Sequence, residues 1–191
     1  MANEVLVKQG TTQLRFFVTG SFSPVDPATN YTVGTPNDAG VLTLTGVLDT
    51  EGRQSTKVDL GTTRAARYSV FGTIDFTALS PSATGSIDYY WAPSASTTAG
   101  TGNIAGNSGV DGDAPDGALG TITLTEFVLQ CQFIGSLRTH DGGVVQNGYV
   151  GTFSPAERFG QLVVVNNGGA TFMADDVEMH QVMNPIVDEI Q

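Results

Sequence analysis

Apolar and polar side chains alternate with a period of two through most of the chain. In residues 13–20, Leu14, Phe16 and Val18 share one face while Arg15 and Phe17 take the other, the pattern of a half-buried strand. Residues 41–48 set Leu42, Leu44 and Leu48 opposite Thr43 and Thr45, and threonine suits the solvated side of a sheet. Residues 67–76 alternate Tyr68, Val70, Gly72, Ile74 and Phe76 against Arg67, Ser69, Phe71, Thr73 and Asp75. In residues 86–92, Ile87, Tyr89 and Trp91 oppose Asp88 and Tyr90, which sends the indole to the core. Residues 128–137 place Leu129, Cys131, Phe133 and Leu137 together against Gln130, Gln132 and Ser136. Cys131 is therefore expected as a buried, inert thiol. Further strands are predicted over 144–153, 161–165 and 177–187, the last with Val177, Met179 and Met183 on one side.

One short helical turn is predicted, over 154–159. Ser154, Pro155 and Glu157 supply an N-cap, a first-turn proline and a glutamate three residues after the cap, and Gly160 stops the turn. Residues 93–120 break the pattern with 7 Gly, 3 Asp and few side chains able to pack; they read as an irregular excursion whose tip is disordered in the free protein. Eight or more strands joined by turns, with no alternating helices, predict an all-β fold: an antiparallel two-sheet sandwich of jelly-roll type. An immunoglobulin-like order stays open, although its cysteine pair is absent. With no break in composition, the 191 residues form a single domain that the 93–120 excursion interrupts.

Charge and composition then narrow the function. Eight basic against 19 acidic residues give a net charge of −11, which disfavours direct contact with nucleic acid. The first ten residues hold only a three-residue apolar run between Glu4 and Lys8, short of a signal-peptide core. The longest clean apolar run, 162–165, is far below the roughly 20 residues of a membrane helix. A single cysteine and two histidines exclude a disulfide framework and a Cys/His-built zinc site.

The search for chemistry yields no catalytic constellation, so the chain is expected not to be an enzyme and to carry no cofactor. His140-Asp141-Gly142-Gly143 reads as a turn, His180 as a packed or sheet-surface histidine, and the pairs Asp175-Asp176 and Asp188-Glu189 as solvated carboxylates. Asp111, Asp113 and Asp116 invite a calcium reading, but Pro115 holds the place of the third alternate ligand and no glutamate closes the loop, so no metal is expected. Four of the eight basic residues, Arg53, Lys57, Arg64 and Arg67, fall within 15 positions. They form either a charge-protected strand edge or a docking patch for a carboxylate-bearing partner. With Asn107, Asp111, Asp113 and Asp116 of the excursion, they are the candidate partner-binding residues.

Three segments carry a resemblance: the opening MANEVLVK, the central GRQSTKVDLG at 52–61 followed by Arg64-Ala65-Ala66-Arg67-Tyr68, and the closing PIVDEIQ at 185–191. Together they resemble a family of small structural proteins encoded by tailed bacteriophages. The resemblance implies a virion component assembled in the host cytoplasm. Its expected place is the head exterior, as a decoration or cement protein bound to the major capsid protein, or else the tail; a homo-oligomer is also expected. The termini and the 93–120 excursion are the segments expected to touch partners. The alternative from another class is a carbohydrate-binding module, for which Tyr89, Tyr90 and Trp91 are the candidate aromatics. Only Tyr90 of the three is expected to face outward.

Overall fold

A computed structural model describes residues 5–9, 12–18, 35–77, 81–141, 144–174 and 178–190. Its strands are β1 (Val5–Gln9), β2 (Thr12–Phe17), β3 (Thr35–Val41), β4 (Gly52–Gln54), β5 (Val58–Asp59), β6 (Arg67–Asp75), β7 (Ser86–Ser94), β8 (Gly112–Asp113), β9 (Gln132–Arg138), β10 (Val145–Phe153), β11 (Phe159–Asn167) and β12 (His180–Ile190), with one helix, α1 (Leu124–Val128). The first sheet runs β10-β6-β12-β2-β3 with β1 also on β12; the second runs β8-β4-β11-β7-β9 with β5 also on β11. Four antiparallel pairs nest one inside the next: β7 with β9, β6 with β10, β4 with β11, and β2 with β12. Successive pairs fall alternately in the two sheets, which is the winding of a jelly roll. The pairing of β2 with β3 is parallel.

The faces predicted for three strands hold. Tyr68, Val70 and Ile74 of β6 and Ile87, Tyr89 and Trp91 of β7 are buried between the sheets, with Leu14, Phe16, Leu162, Val164 and Met183. Burying each large apolar side chain is worth roughly 1.5–3 kcal/mol, so this layer is the main cohesive term. A polar link between described residues crosses it. The Tyr89 hydroxyl donates to Gln181 Oε1 at 2.8 Å, and Gln181 Nε2 donates to the Thr73 carbonyl. Burial pushes the Tyr89 phenol far above its ordinary pKa, so it stays a donor. Gly72 makes the link possible, since a Cβ there would collide with both the Tyr89 hydroxyl and Gln181 Oε1.

The edge strands β9 and β10 close one flank. Each carries a bulge, at Ile134 and at Val150, and both bulged residues are buried. Gly135 lies against the Val150 carbonyl and Gly151 against the Ile134 carbonyl, so close that neither position admits a Cβ.

Four expectations are corrected. Residues 42–48 are not a strand: β3 ends at Val41, and a turn at 45–46 with Gly46 at φ 69° redirects the chain. Leu42 and Leu44 still reach the core, but Val47 is buried and Leu48 is 51% exposed. Residues 128–131 belong to α1 and the turn after it. Leu129 stands 80% exposed in that turn, and the Ile134 bulge reverses the phase of β9, leaving Phe133 55% exposed while Leu137 is buried. Residues 154–158 form no helix. They cross between the packed sheets, a distance of about 10 Å that a rise of about 1.5 Å per residue does not cover in so few residues. The helix lies at α1 instead, where Thr123 and Glu126 make a reciprocal capping box. Finally, residues 93–120 are folded and hydrogen-bonded rather than disordered at the tip. Residues 19–20 and 177 of the predicted strands, and the pair Asp175-Asp176, lie outside the described residues.

The Gly72 contact is testable by chemical denaturation. Gly72→Ala should cost about 1–3 kcal/mol through overpacking. Tyr89→Phe should cost a similar amount by leaving Gln181 Oε1 without its donor. In the double variant the Gly72→Ala cost should shrink; an equal cost in both backgrounds would show that the hydroxyl is not what the glycine accommodates.

Candidate functional site: the covered and uncovered halves of the second sheet

Strand β11 has apolar side chains on both faces. Leu162 and Val164 enter the layer between the sheets, while Val163 and Val165 point the other way and are also buried. The excursion covers them. Ala92, Ala114, Phe127, Val163 and Val165 form a second cluster, against which Tyr90, Ile104, Ile122, Leu124, Val128 and Cys131 pack. No stretch of 93–120 is apolar enough to read as core, yet Ile104 and Ala114 at its bends supply the needed contacts with Ile122 and α1.

Polar ties hold the cover in place, and they engage most of the candidate partner-binding residues. Asp116 accepts from Gln54 Nε2 at 2.7 Å, from the Ser108 N–H at 2.8 Å and from the Ala118 N–H at 2.9 Å. Asp111 accepts from the Thr43 N–H and hydroxyl at 2.9 and 2.7 Å. Asp113, in β8, faces Arg53 across the ladder and pairs with it at 2.7 Å. Lys57 donates to the carbonyls of Thr98 and Thr101 at 2.7 and 2.9 Å, and partial burial lowers its pKa. Asn107 is buried rather than on the surface, its Oδ1 accepting from the Gly109 N–H. The three aspartates thus answer three different donor sets, and no group of three metal-ligating side chains gathers among the described residues.

The basic run is also divided. Arg53 and Lys57 lie under the excursion on the second sheet. Arg67 opens β6 on the first sheet, where it meets Asp188 of β12 at 2.9 Å. Arg64 is exposed in the turn before β6. His180 sits in β12 opposite Phe17 and Thr73, with Nδ1 2.8 Å from the Glu178 carbonyl oxygen, and the backbone of exposed His140 is held by Gln146. Where the excursion meets β4, a cleft of about 250 Å³ is lined by Thr50, Glu51, Gly52, Asp113, Ala114, Pro115 and Leu124.

The cover stops partway across the sheet. Beyond it, the outer face of β7 and β9 carries two cross-strand pairs, Tyr90 with Phe133 and Asp88 with Ser136. The Tyr90 and Phe133 rings lie 5.2 Å apart at 58°. Asp88 accepts from the Ser136 hydroxyl at 2.6 Å and from Asn167 Nδ2 at 2.8 Å. Sequence reading assigned Phe133 to the core because the bulge at Ile134 leaves no mark in the period-two pattern; the structure instead sets it beside Tyr90. Cys131 is part-buried at the border, in the outer cluster rather than between the sheets. Its thiol donates weakly to the Phe127 carbonyl, and burial raises its pKa to about 12.

Among the described residues, no helix is long and apolar enough to cross a membrane. Compared with protein-family models, with curated proteins and with solved structures, the chain has no match.

Two outcomes follow. Asp116→Ala strips acceptors from Gln54, Ser108 and Ala118, so it should cost about 1–3 kcal/mol and raise amide exchange across 95–120 before it does so in β6 or β7. Uniform loss of protection would mean that the excursion does not open separately. For Cys131, the raised pKa disfavours thiolate in the fold. Iodoacetamide at pH 8.5 should therefore label native protein far more slowly than urea-unfolded protein, and the stability contributed by keeping this thiol protonated should fade as pH climbs from the unfolded value toward about 12. Equal labelling rates would place the thiol in water.

Proposed function

We propose that the chain is a structural component of a tailed-bacteriophage particle, a decoration or cement protein on the head shell that works by adhesion. The observation that carries this reading is the ribbon made by the two ends of the described chain. β1 pairs with β12 from Ile186 to Ile190, while β6 leaves β12 at Ile186. The last residues of β12 therefore run past the body with β1 on one side and no described strand on the other. A strand edge of this kind offers unpaired backbone donors and acceptors to a neighbouring subunit. Arg67 reaches along it to Asp188.

Two further features agree. Jelly rolls recur among viral capsid proteins, although fold alone does not assign function, and the segments that form the ribbon are among those that resemble the phage family. In this reading the partner is the major capsid protein, and repeated copies strengthen individually weak contacts through effective concentration.

Electron microscopy of particles with and without the protein tests it. The expected result is extra density on the head and heads that rupture more readily when it is missing. Density on the tail would overturn the head assignment, and its absence from every particle would overturn the structural role. Arg67→Glu, which sets two like charges together at the base of the ribbon, should weaken particle binding while changing stability by less than about 1 kcal/mol, because both side chains are well exposed.

A further inference from the structure

We propose that the uncovered part of the second sheet's outer face is a shelf that binds a neutral saccharide. This inference does not rest on the particle reading. Its floor is the Tyr90–Phe133 ring pair, with Phe133, on the edge strand β9, 55% exposed. Two residues along β7, about 6.6 Å at the rise of a strand, sits the Asp88–Ser136 pair. Tyr90 also packs against the cluster that holds Val128 and Cys131, so α1 and the turn after it border the shelf.

The chemistry selects the ligand. The apolar C–H face of a sugar ring stacks on aromatic rings, whose faces carry partial negative charge. Its hydroxyls need acceptors held in place. Asp88 is such an acceptor: Ser136 and Asn167 each engage one of its oxygens, which fixes the carboxylate and leaves a further lone pair on each for a ligand hydroxyl. A purely apolar partner would strip water from that charged carboxylate while offering no donor of its own, and would lose binding energy. An anionic sugar is disfavoured by Asp88 itself and by the net charge of −11. A neutral saccharide satisfies both the rings and the carboxylate.

The shelf exists only because β9 is bulged. In unbroken alternation Phe133 would share a face with Gly135 and Leu137 and lie inside; the extra residue at Ile134 turns it out to Tyr90.

The test titrates the full chain with maltohexaose, cellohexaose and chitohexaose, followed by saturation-transfer NMR and calorimetry. Binding of at least one at millimolar concentration is expected. Phe133→Ala should weaken it about tenfold, equivalent to about 1.4 kcal/mol. Asp88→Asn should weaken it several-fold, whereas Tyr149→Ala, an exposed aromatic on the first sheet, should leave it unchanged. No binding of any of the three overturns the proposal, as does binding that survives Phe133→Ala in protein whose melting temperature is unaltered. If Phe133→Ala instead reduces attachment to particles while no saccharide binds, the shelf is a protein contact and the proposal fails, without harm to the adhesion reading.

Discussion

A strand that is apolar on both faces needs two covers, and β11 is such a strand. Between the sheets, Leu162 and Val164 meet the first sheet; on the outside, Val163 and Val165 would stand in water without the excursion. The long irregular segment is therefore part of the solution to a burial problem. A glycine- and aspartate-rich chain does this because its backbone groups and short polar side chains provide the ties. Asp111, Asp113 and Asp116 connect it to Thr43, Arg53 and Gln54. Ile104, Ile122 and α1 then need to supply only a few apolar contacts. Glycine is required where the path turns sharply, as at Gly106, with φ at 80° and Pro115 and Ile122 packed against it.

This arrangement also decides which surface is left for function. The cover spends most of the candidate charged groups on internal contacts and reaches only part of the outer face of β7. Among the described residues, the features left outward include a strand ribbon at the joined ends and an aromatic shelf beside a fixed carboxylate. Backbone edges suit protein neighbours, and ring faces beside a held acceptor suit sugar rings. The two surfaces thus belong to different ligand chemistries, and they lie on different sheets.

What could be read from sequence followed from how local the cause was. β6 and β7 alternate over most of their length because each has one wet and one dry face, and their limits, with those of β10, were legible to within a few residues. The two-sheet sandwich followed from their number and spacing. β9 misled because a bulge shifts the phase without altering composition. The sequence reading took Ser154–Glu157 for the helix start and passed over Thr123–Glu126, which has the same spacing. Thr123–Glu126 precedes Phe127 and Val128, which have the outer face of β11 to pack against, whereas Ser154–Glu157 must carry the chain from one sheet to the other. The candidate site was least legible. Arg53 and Arg67 are neighbours in sequence, but the crossover before β6 puts them on separate sheets, and Asp88's partners Ser136 and Asn167 lie 48 and 79 residues away.

The paired glycines where β9 meets β10 have a larger consequence. With Gly135 and Gly151 seated against each other's strands, the outermost backbones of the two layers guard one another, and that flank offers no template for adding a foreign strand. Growth by strand pairing is left to the opposite side and the ribbon.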